Sequence, residues 1–576
     1  MHSSLYDSLS SEARVLVRET VDALAPCYDP SLHLVWRMRG GKKVYENRAS
    51  LYYALGLMVL GKEDCLGTVE ALCDAVIDLQ IDAPTEIFHG AYLHPGQKMP
   101  REGVLDYERL GTYGRYYLDC FYERLSDTFR LNLGKDSDLA PYSEQIDELL
   151  RKAALDVHPM VYATYEPCSR EFLPMCFAML LEHFSDVLSP RLVRRIEHSC
   201  LLAVEGAIIR SRTDFSPMNT NIQCMHVFVV DYFGKRLGHP EHCRYALDYA
   251  KGMLQAYRVC HAAAEYNSPT YCGVDLGTLG FWQRYGSSHE LKAIGAELEK
   301  GIWEDMMAFY NPAMRNFCGP YSRAYELDMR LHTGFHALFY LGLGESVFPD
   351  HPYTYESDSN PLLVLGQVTI PEDAKKAVFA PREDVTVRRQ FRELSERGDP
   401  AHNDALCTAT AWISSDLMLG ALAGSENPSY QLHPLVAFWR CGDGLGTIKL
   451  LRCLPNGRMI HMHTVFFNGT AEKNHIAMDV HADVLRDVHV FFEIECDGIQ
   501  EVSISQDAWD LPGLHVQVSA RAPKPFVERV NERTLRVIYP AQVLFPETMR
   551  MHFDLQFSLL PSDSLTGGIR HAEQTV

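Results

Sequence analysis

Three stretches of the sequence concentrate polar side chains that could move a proton and bind an anionic group. They lie at 215–226, 261–271 and 319–332, where loops meet predicted helices. The residues concerned are, in chain order, Asn219, Asn221 and His226; His261, Tyr266, Asn267 and Tyr271; and Arg323, Tyr325, Arg330 and His332. Tyrosine, histidine, asparagine and arginine together suit acid–base chemistry on a substrate that carries a carboxylate or carbonyl.

That combination predicts abstraction of a proton α to the carboxylate or carbonyl, followed by β-elimination. The reaction needs a base, a group that stabilises the enolate-like intermediate, and an acid for the leaving oxygen. A tyrosine can act as base and then as acid, while asparagine, histidine or arginine can neutralise the carboxylate. The residues predicted to be catalytic are Tyr271, Tyr266, His261, Asn221 and His226. The residues predicted to bind substrate are Asn219, Asn267, Arg323, Tyr325, Arg330 and His332.

Each stretch also has an ordinary structural explanation. Asn219 or Thr220 could cap the first turn of a helix. Asn267-Ser-Pro is favourable turn chemistry, and Arg323 could pair with Asp328 at the surface. The stretch at 261–271 favours function most strongly, because a turn needs only one or two of its polar residues.

The elements that would position these residues are helices as far as about residue 342. Apolar periodicity predicts helices at 9–25, 46–60, 65–80, 108–126, 143–157, 171–184, 190–209, 221–235, 241–260, 274–285, 289–310 and 326–342. Short loops rich in glycine and proline join them, as in antiparallel helix pairs, and no fixed-period repeat indicates a solenoid. About six helix pairs without such a repeat fit a closed α/α toroid or an irregular helical domain.

Beyond Leu343 the pattern becomes that of strands. Runs of strand length lie at 385–391, 405–414, 436–440, 446–452, 459–467, 475–481, 488–494, 515–519, 535–539 and 551–558. Turn signals separate them, and Asn468-Gly is interpreted as a hairpin turn. The sequence therefore predicts a helical α/α toroid at 1–345 and an antiparallel β-sandwich domain at 346–576, with a linker at 346–375.

The order of the polar stretches on such an architecture resembles the toroid polysaccharide lyases, both the chondroitin/hyaluronan/xanthan lyase type and the heparinase II/III-like proteins. In that family an asparagine is followed by a histidine and a tyrosine, and then by an arginine. Asn221, Tyr271 and Arg323 are separated by 50 and 52 residues, which is similar. The family's histidine would fall on position 262, which is alanine here, and His261 lies ten residues before Tyr271. The resemblance implies β-elimination and leaves open which tyrosine or histidine is the base.

Composition excludes several other classes of function. The net charge of −21 argues against binding to nucleic acid or an acidic membrane. The N-terminus lacks a signal-peptide pattern and no run approaches 18 apolar residues, so we expect a cytoplasmic protein without a membrane span. The cysteines are scattered and are expected to be reduced. No metal site or cofactor is predicted, because the histidines of the β-part lack a recognisable ligand pattern, and the oligomeric state stays open.

The function predicted from the sequence is a carbon–oxygen lyase that acts on a uronate-containing oligosaccharide. The absence of a signal peptide leaves an alternative, a cytosolic dehydratase, cyclase or isomerase of a small natural product on the same scaffold. A second alternative is a carbohydrate-binding protein without catalysis. A toroid glycosidase would instead need two facing carboxylates, such as Glu265 with Asp275 or Asp328.

Overall fold

The computed structural model describes most of the chain. The described residues are 3–61, 64–86, 88–96, 118, 122, 125–126, 129, 139–157, 166–213, 218–329, 333–344, 353–393, 406–427, 429–442, 444–459, 462, 465–482, 488–541 and 549–560. The predicted helix at 108–126 lies largely outside these residues, as do four of the nine residues of the predicted strand at 459–467.

Helices dominate the described residues up to 377. They are α1 (Ser3–Ser8), α2 (Ser11–Leu24), α3 (Asn47–Leu60), α4 (Leu66–Ile77), α5 (Ser143–Val157), α6 (Ser169–Phe184), α7 (Pro190–Thr213), α8 (Thr220–Leu237), α9 (Pro240–Cys260), α10 (Cys272–Tyr285), α11 (His289–Phe309), α12 (Thr333–Leu343), α13 (Asn360–Leu363) and α14 (Glu372–Ala377). Caps fix several ends: Ser10 and Ser288 accept first-turn N–H groups of α2 and α11. Gly61 and Gly238 end α3 and α8 with φ of 63° and 77°, a conformation that glycine adopts without strain.

The helices form an inner and an outer set. Fourteen of the eighteen residues of α8 are buried, whereas only four of the twenty-one residues of α9 are. The inner helices contact each other in sequence, with α3 against α6, α6 against α8, α8 against α10 and α10 against α12. Outer helices such as α9 and α11 cover them through amphipathic faces. The polar stretches lie at the starts of inner helices α8, α10 and α12, or just before them.

A small three-stranded sheet that the sequence did not predict follows α2. Its strands are β1 (Tyr28–Asp29), β2 (Leu34–Arg39) and β3 (Lys42–Glu46). Only the first two residues of β2 are buried, so the hairpin lacks the apolar alternation that identifies a strand. A short pair, β4 (Tyr310–Asn311) and β5 (Asn316–Phe317), follows α11.

The described strands of the C-terminal part pair with one another in antiparallel fashion. Its strands are β6 (Val385–Arg392), β7 (Leu406–Ile413), β8 (Leu417–Ala423), β9 (Leu435–Cys441), β10 (Gly444–Cys453), β11 (Val465–Glu472), β12 (His475–Ala482), β13 (Val488–Glu495), β14 (Ser503–Ile504), β15 (Ala508–Leu511), β16 (Leu514–Arg521), β17 (Phe526–Arg529), β18 (Thr534–Ala541) and β19 (Met549–Leu559). They form an eight-stranded sheet, ordered β17-β18-β13-β10-β9-β8-β7-β6, and a six-stranded sheet, ordered β11-β12-β19-β16-β15-β14. The prediction of helices first and antiparallel strands second is confirmed.

The two sheets contact each other through aromatic side chains. Phe492 of β13 lies 5.1 Å from Trp509 of β15 and 5.2 Å from Phe553 of β19, between ring centroids. Tyr539 of β18 lies 4.9 Å from the same Phe553 ring. These edge-on and tilted contacts bury large apolar surfaces between the two layers.

The predicted hairpin turn at Asn468-Gly is wrong. Both residues lie inside β11, where they pair with Asp479 and Met478 of β12. The chain turns later, at Lys473, whose φ is 49°. Asn468 Oδ1 instead accepts a hydrogen bond from the Gly424 N–H at 2.8 Å, so tertiary pairing overrides the local turn signal.

The predicted start of the last long helix at 326 is also wrong. Residues 326–329 are not helical, and α12 begins at Thr333. The reason is that Asn316 bonds to this segment: its amide donates to Leu327 O and its carbonyl oxygen accepts from the Met329 N–H. These bonds replace those that a helix would have supplied to residues 327 and 329.

The described part of the predicted linker packs on the helices. The helix α13 contacts α2, α3 and α6. The Tyr285 hydroxyl and the Arg284 guanidinium of α10 donate to the Leu365 carbonyl at 2.9 and 3.1 Å. The domain boundary at 345 stays a prediction.

Candidate active site

A buried carboxylate, Glu265, joins two of the predicted site residues. The Asn221 N–H and side-chain amide donate to Glu265 Oε2 at 3.0 and 2.6 Å. Arg323 Nη1 donates to the other oxygen, Oε1, at 2.8 Å. Glu265 is fully buried, Asn221 is 1% exposed and the Arg323 side chain is 12% exposed. Asn221, Glu265 and Arg323 therefore form one charge-assisted hydrogen-bonded unit, which we call the Glu265 triad.

Tyr271 contacts the arginine of this triad. The Arg323 guanidinium carbon is 4.3 Å from the centroid of the Tyr271 ring, which is a cation–π contact. The ring centroids of Tyr271 and Tyr325 are 6.0 Å apart, and Tyr325 is 53% exposed. Arg323 Nε also donates to Gln431 Oε1 of the β-part at 2.6 Å. Asn221, Tyr271 and Arg323, which the sequence places in three separate stretches, are thus in one cluster.

Two loops hold these residues in place. The Ser268 hydroxyl donates to the Arg323 carbonyl at 2.5 Å and accepts the Tyr271 N–H at 3.1 Å, so it fixes one loop to the other. The loop that carries Arg323 also forms an antiparallel bridge to the β-part, because Tyr321 and His433 exchange backbone hydrogen bonds of 3.2 and 3.0 Å. The β-part therefore fixes the position of the arginine.

Several neighbouring groups affect the ionisation of Tyr271. Burial raises the pKa of Tyr271 well above its ordinary value, the Arg323 guanidinium opposes that rise, and Tyr325 and the Glu265 charge add to it. The hydroxyl is therefore protonated in the resting protein, and Arg323 reduces the free energy needed to ionise it.

Asp275 lies behind the triad on the first turn of α10. Its side chain is fully buried, and neither carboxyl oxygen has a hydrogen-bond partner among the described residues. Burial, with the Glu265 charge nearby, raises the pKa of Asp275 well above its ordinary value. Since neither Glu265 nor Asp275 faces solvent, this pair does not have the geometry of two glycosidase carboxylates across a cleft.

Tyr266 lies apart from the triad. It is 1% exposed, and its hydroxyl donates to Asp305 Oδ1 of α11 at 3.3 Å. Its ring stacks on Phe391 of β6, with centroids 4.2 Å apart. These contacts indicate that Tyr266 packs α11 against the β-part, and Tyr271 is the tyrosine next to Arg323.

His226 points away from the triad, toward α6 and α9. Its Nε2 lies 3.0 Å from the Tyr245 hydroxyl, which in turn lies 2.6 Å from Ser211 Oγ. Its Nδ1 lies 3.9 Å from the buried Glu171 carboxylate. Burial and two nearby arginines lower the pKa of His226 to about 3, so the ring is neutral.

The other predicted residues have local contacts. Asn219 is the residue before α8, but its side chain makes no capping hydrogen bond. Asn267 is buried with φ of 50° and its amide donates to Cys318 O and Pro320 O at 2.8 and 3.0 Å. His261 is exposed at the end of α9, where its ring contacts Tyr257. Arg330 and His332 lie outside the described residues.

The residue that carries the cluster, Glu265, was not among the predicted site residues, although the sequence marks it as part of the polar stretch at 261–271 and as half of a possible glycosidase pair. Glu265 lies between the loops that carry Asn221 and Arg323. The one sequence signal for this position is that a lone acidic residue stands among aromatic and amide side chains. Gln431 had none, since it lies 108 residues from Arg323 in a different part of the chain.

Among the described residues, no group of three or more histidine, cysteine, aspartate or glutamate side chains is arranged to hold a metal ion. No helix in that part of the chain is long and apolar enough to cross a membrane.

One family model matches the chain. Residues 140–358 match "Domain of unknown function (DUF8769)", a segment that covers α5 to α12 and contains Asn221, Tyr271 and Arg323. The match spans less than half of the chain. No curated protein matches it.

Several solved structures are similar at low identity. A heparinase III crystal structure has a TM-score of 0.35 and 10% identity, with 86% of this chain and 91% of that chain covered. A mutant of the heparan sulfate lyase HepC from Pedobacter heparinus has a TM-score of 0.31 and 10% identity, over 89% and 90% of the two chains. A heparinase III with methylated lysines has a TM-score of 0.36 and 9% identity, over 96% and 85%. At these TM-scores the similarities carry no argument about activity, so function is inferred from the site itself.

Proposed function

We propose that the protein is a carbon–oxygen lyase that removes a proton α to a carboxylate and eliminates the β-oxygen, with a uronate-containing oligosaccharide as substrate. The observation that carries the proposal is the stack of Arg323 on Tyr271, with Asn221 joined to the same arginine through Glu265. A tyrosine, a guanidinium and an amide thereby belong to one connected cluster.

Each group has a role in the proposed reaction. Arg323, whose side chain is partly exposed, neutralises the substrate carboxylate and stabilises the enolate-like intermediate, and Asn221 positions this arginine through Glu265. Tyr271 removes the α-proton and then protonates the leaving oxygen. The charge of Arg323 favours the tyrosinate, so the residue that binds the carboxylate also makes Tyr271 easier to deprotonate.

The partly exposed residues define the entrance. Tyr325 lies outside Tyr271 and presents an aromatic ring to solvent, which suits the apolar face of a sugar. Gln431 anchors Arg323 from the β-part, so the proposed binding surface is formed by both parts of the chain.

We also infer that the inner helices close into the α/α toroid predicted from the sequence. The series α3, α6, α8, α10 and α12 continues from α12 to α2 and from α2 back to α3, and each neighbouring pair is in contact. In such a ring the starts of α8 and α10 would bring Asn221 and Tyr271 to the same end.

The test is incubation of the purified chain with a panel of uronate oligosaccharides while ultraviolet absorbance is recorded. A conjugated unsaturated uronate produced at the new end supports the lyase. A well-folded protein that produces no absorbance rise on any member would refute the oligosaccharide substrate and favour the small-molecule alternative.

A further inference from the structure

A small cavity lies between Glu265 and Asp305, behind the triad. Its volume is about 10 Å³, and its lining includes Glu265, Tyr266, Asn267 and Asp305, together with Tyr257 and Cys272. That volume is about the size needed for one water molecule. Apolar side chains such as Ile302 complete the wall.

One polar atom on this wall lacks a partner. Asn267 is 2% exposed, and its Oδ1 has no hydrogen-bond partner among the described residues, although its amide donates twice. A buried carbonyl oxygen without a partner costs about 1–3 kcal/mol, so such atoms are normally satisfied by protein or ordered water. A cavity of this size with an acceptor and two carboxyl groups on its wall meets the requirements of a buried water site.

Asp305 is the titratable group on the far wall. Its side chain is 10% exposed. It accepts from the Tyr266 hydroxyl at 3.3 Å, and Arg389 Nε of β6 lies 3.5 Å from the same oxygen, Oδ1. Its contacts therefore span α11, the loop after α9 and the first strand of the eight-stranded sheet.

We propose that one buried water in this cavity hydrogen-bonds to Asp305, Asn267 and Glu265, which makes Asp305 a positioning residue for the Glu265 triad. A protonated Asp305 donates to the water, and the water donates to Asn267 Oδ1 and to the Glu265 carboxylate. That arrangement lets Glu265 keep its charge and its bonds to Asn221 and Arg323. The positioning role rests on the function proposed above, whereas the water link itself does not.

Ionisation of Asp305 reverses the direction of these bonds. A carboxylate can only accept, so the water turns toward Asp305 and one hydrogen bond to Glu265 is lost. The charged and titratable groups that face Asp305 are Tyr257 from α9, Tyr266 and Glu265 from the loop, Cys272 from α10 and Arg389 from β6.

The ionisation of Asp305 falls in the physiological pH range. Burial raises the pKa of Asp305 to about 7, against the opposing effect of Arg389. Above that pH, two carboxylates face one cavity and the triad loses support. We therefore expect activity to depend on a group that must be protonated and that titrates near neutrality.

The test of the water link needs no substrate. Infrared difference spectra of the full-length protein are recorded between pH 5.5 and pH 8.5, roughly 1.5 units on either side of the Asp305 pKa, and the carboxylic acid C=O band is followed. The wild type is compared with Asp305→Asn, which removes the group, and with Glu299→Gln as matched control. Glu299 is a second buried carboxyl on α11, bonded to Gln283 and not on the cavity wall.

We expect a band that titrates near pH 7, is lost in Asp305→Asn and is kept in Glu299→Gln. Because the proposed water links Asp305 to the Glu265 carboxylate, Glu265→Gln should lower the midpoint of this band. If Glu265→Gln does not fold, Ala263→Val at the cavity wall serves instead, since it displaces the water and shifts the midpoint with both carboxyls kept.

A band with the same midpoint in the wild type, Glu265→Gln and Ala263→Val would overturn the water link. A lyase whose pH profile is the same in Asp305→Asn as in the wild type would overturn the positioning role. Failure of the elimination reaction itself leaves the infrared result readable, so the two proposals fail separately.

Discussion

Replacement of Glu265 by alanine should destabilise the protein more than any other single change in the candidate site. Glu265 is fully buried and accepts three hydrogen bonds, two from Asn221 and one from Arg323. Removing one partner of a buried ion pair costs about 3–5 kcal/mol, because the other charge stays buried. After the change Arg323 would keep its 12% exposure and its bond to Gln431, so its charge would not be left wholly without a partner. We therefore expect a loss at the lower end of this range, about 3 kcal/mol.

The assay is urea unfolding followed by circular dichroism, with Glu297→Ala as control. Glu297 also pairs with an arginine, Arg258, but its side chain is 44% exposed, so its removal should cost less than about 1 kcal/mol. Glu265→Gln keeps an acceptor oxygen, so its loss in free energy of unfolding should lie between those of Glu265→Ala and Glu297→Ala. Equal losses in Glu265→Ala and Glu297→Ala, within about 0.5 kcal/mol, would refute the reasoning that Glu265 is the buried centre of the cluster.

Three further outcomes follow from contacts of the same region. Gly420→Ala should destabilise the protein and weaken substrate binding, because the new Cβ would lie 2.0 Å from Gly319 O in the loop before Arg323. Gly252→Ala is the control: its Cβ would enter open space, so thermal unfolding should show no loss of stability. Arg323→Lys should raise KM at least tenfold, about 1.4 kcal/mol, because lysine keeps the charge and loses the planar fork, and steady-state kinetics would check this. In the folded protein the pKa of Asp305 is raised from its ordinary 3.8 to about 7. Its contribution to the free energy of unfolding is therefore full below about pH 4 and is lost as the pH rises to 7, with a slope of about 1.4 kcal/mol per pH unit. Asp305→Asn should remove this slope, as urea unfolding at a series of pH values would show.

The order of helices and strands was predictable because it depends on local periodicity. The long inner helix α8 was predicted at 221–235 and is found at Thr220–Leu237. By contrast, Asn468-Gly has the local chemistry of a turn, yet cross-strand pairing of β11 with β12 places it in the middle of a strand. Local signals therefore fail where long-range pairing decides the register.

The candidate site was predictable only in part, for the same reason. Asn221, Tyr271 and Arg323 could be singled out by type and spacing, and the structure brings them together. Glu265, the common partner of Asn221 and Arg323, lies 58 residues from that arginine, so the ion pair has no local signature. Gln431 comes from the β-part, and its contact depends on the docking of two loops.

The separation of Tyr266 from Tyr271 could not be read from the sequence either. The two residues are five positions apart in one loop. The left-handed backbone of Asn267 lies between them, and Tyr266 packs on Phe391 while Tyr271 contacts Arg323. Only the path of the loop decides which ring meets the arginine.

The central claim is tested most directly by the turnover of Tyr271→Phe on a uronate oligosaccharide that the wild type cleaves. Phenylalanine keeps the ring under Arg323 and removes only the hydroxyl, so folding and binding should be retained. We expect kcat to fall by about 10²–10⁴ with KM little changed, while Tyr266→Phe keeps most of its activity. Wild-type kcat in Tyr271→Phe would contradict the account.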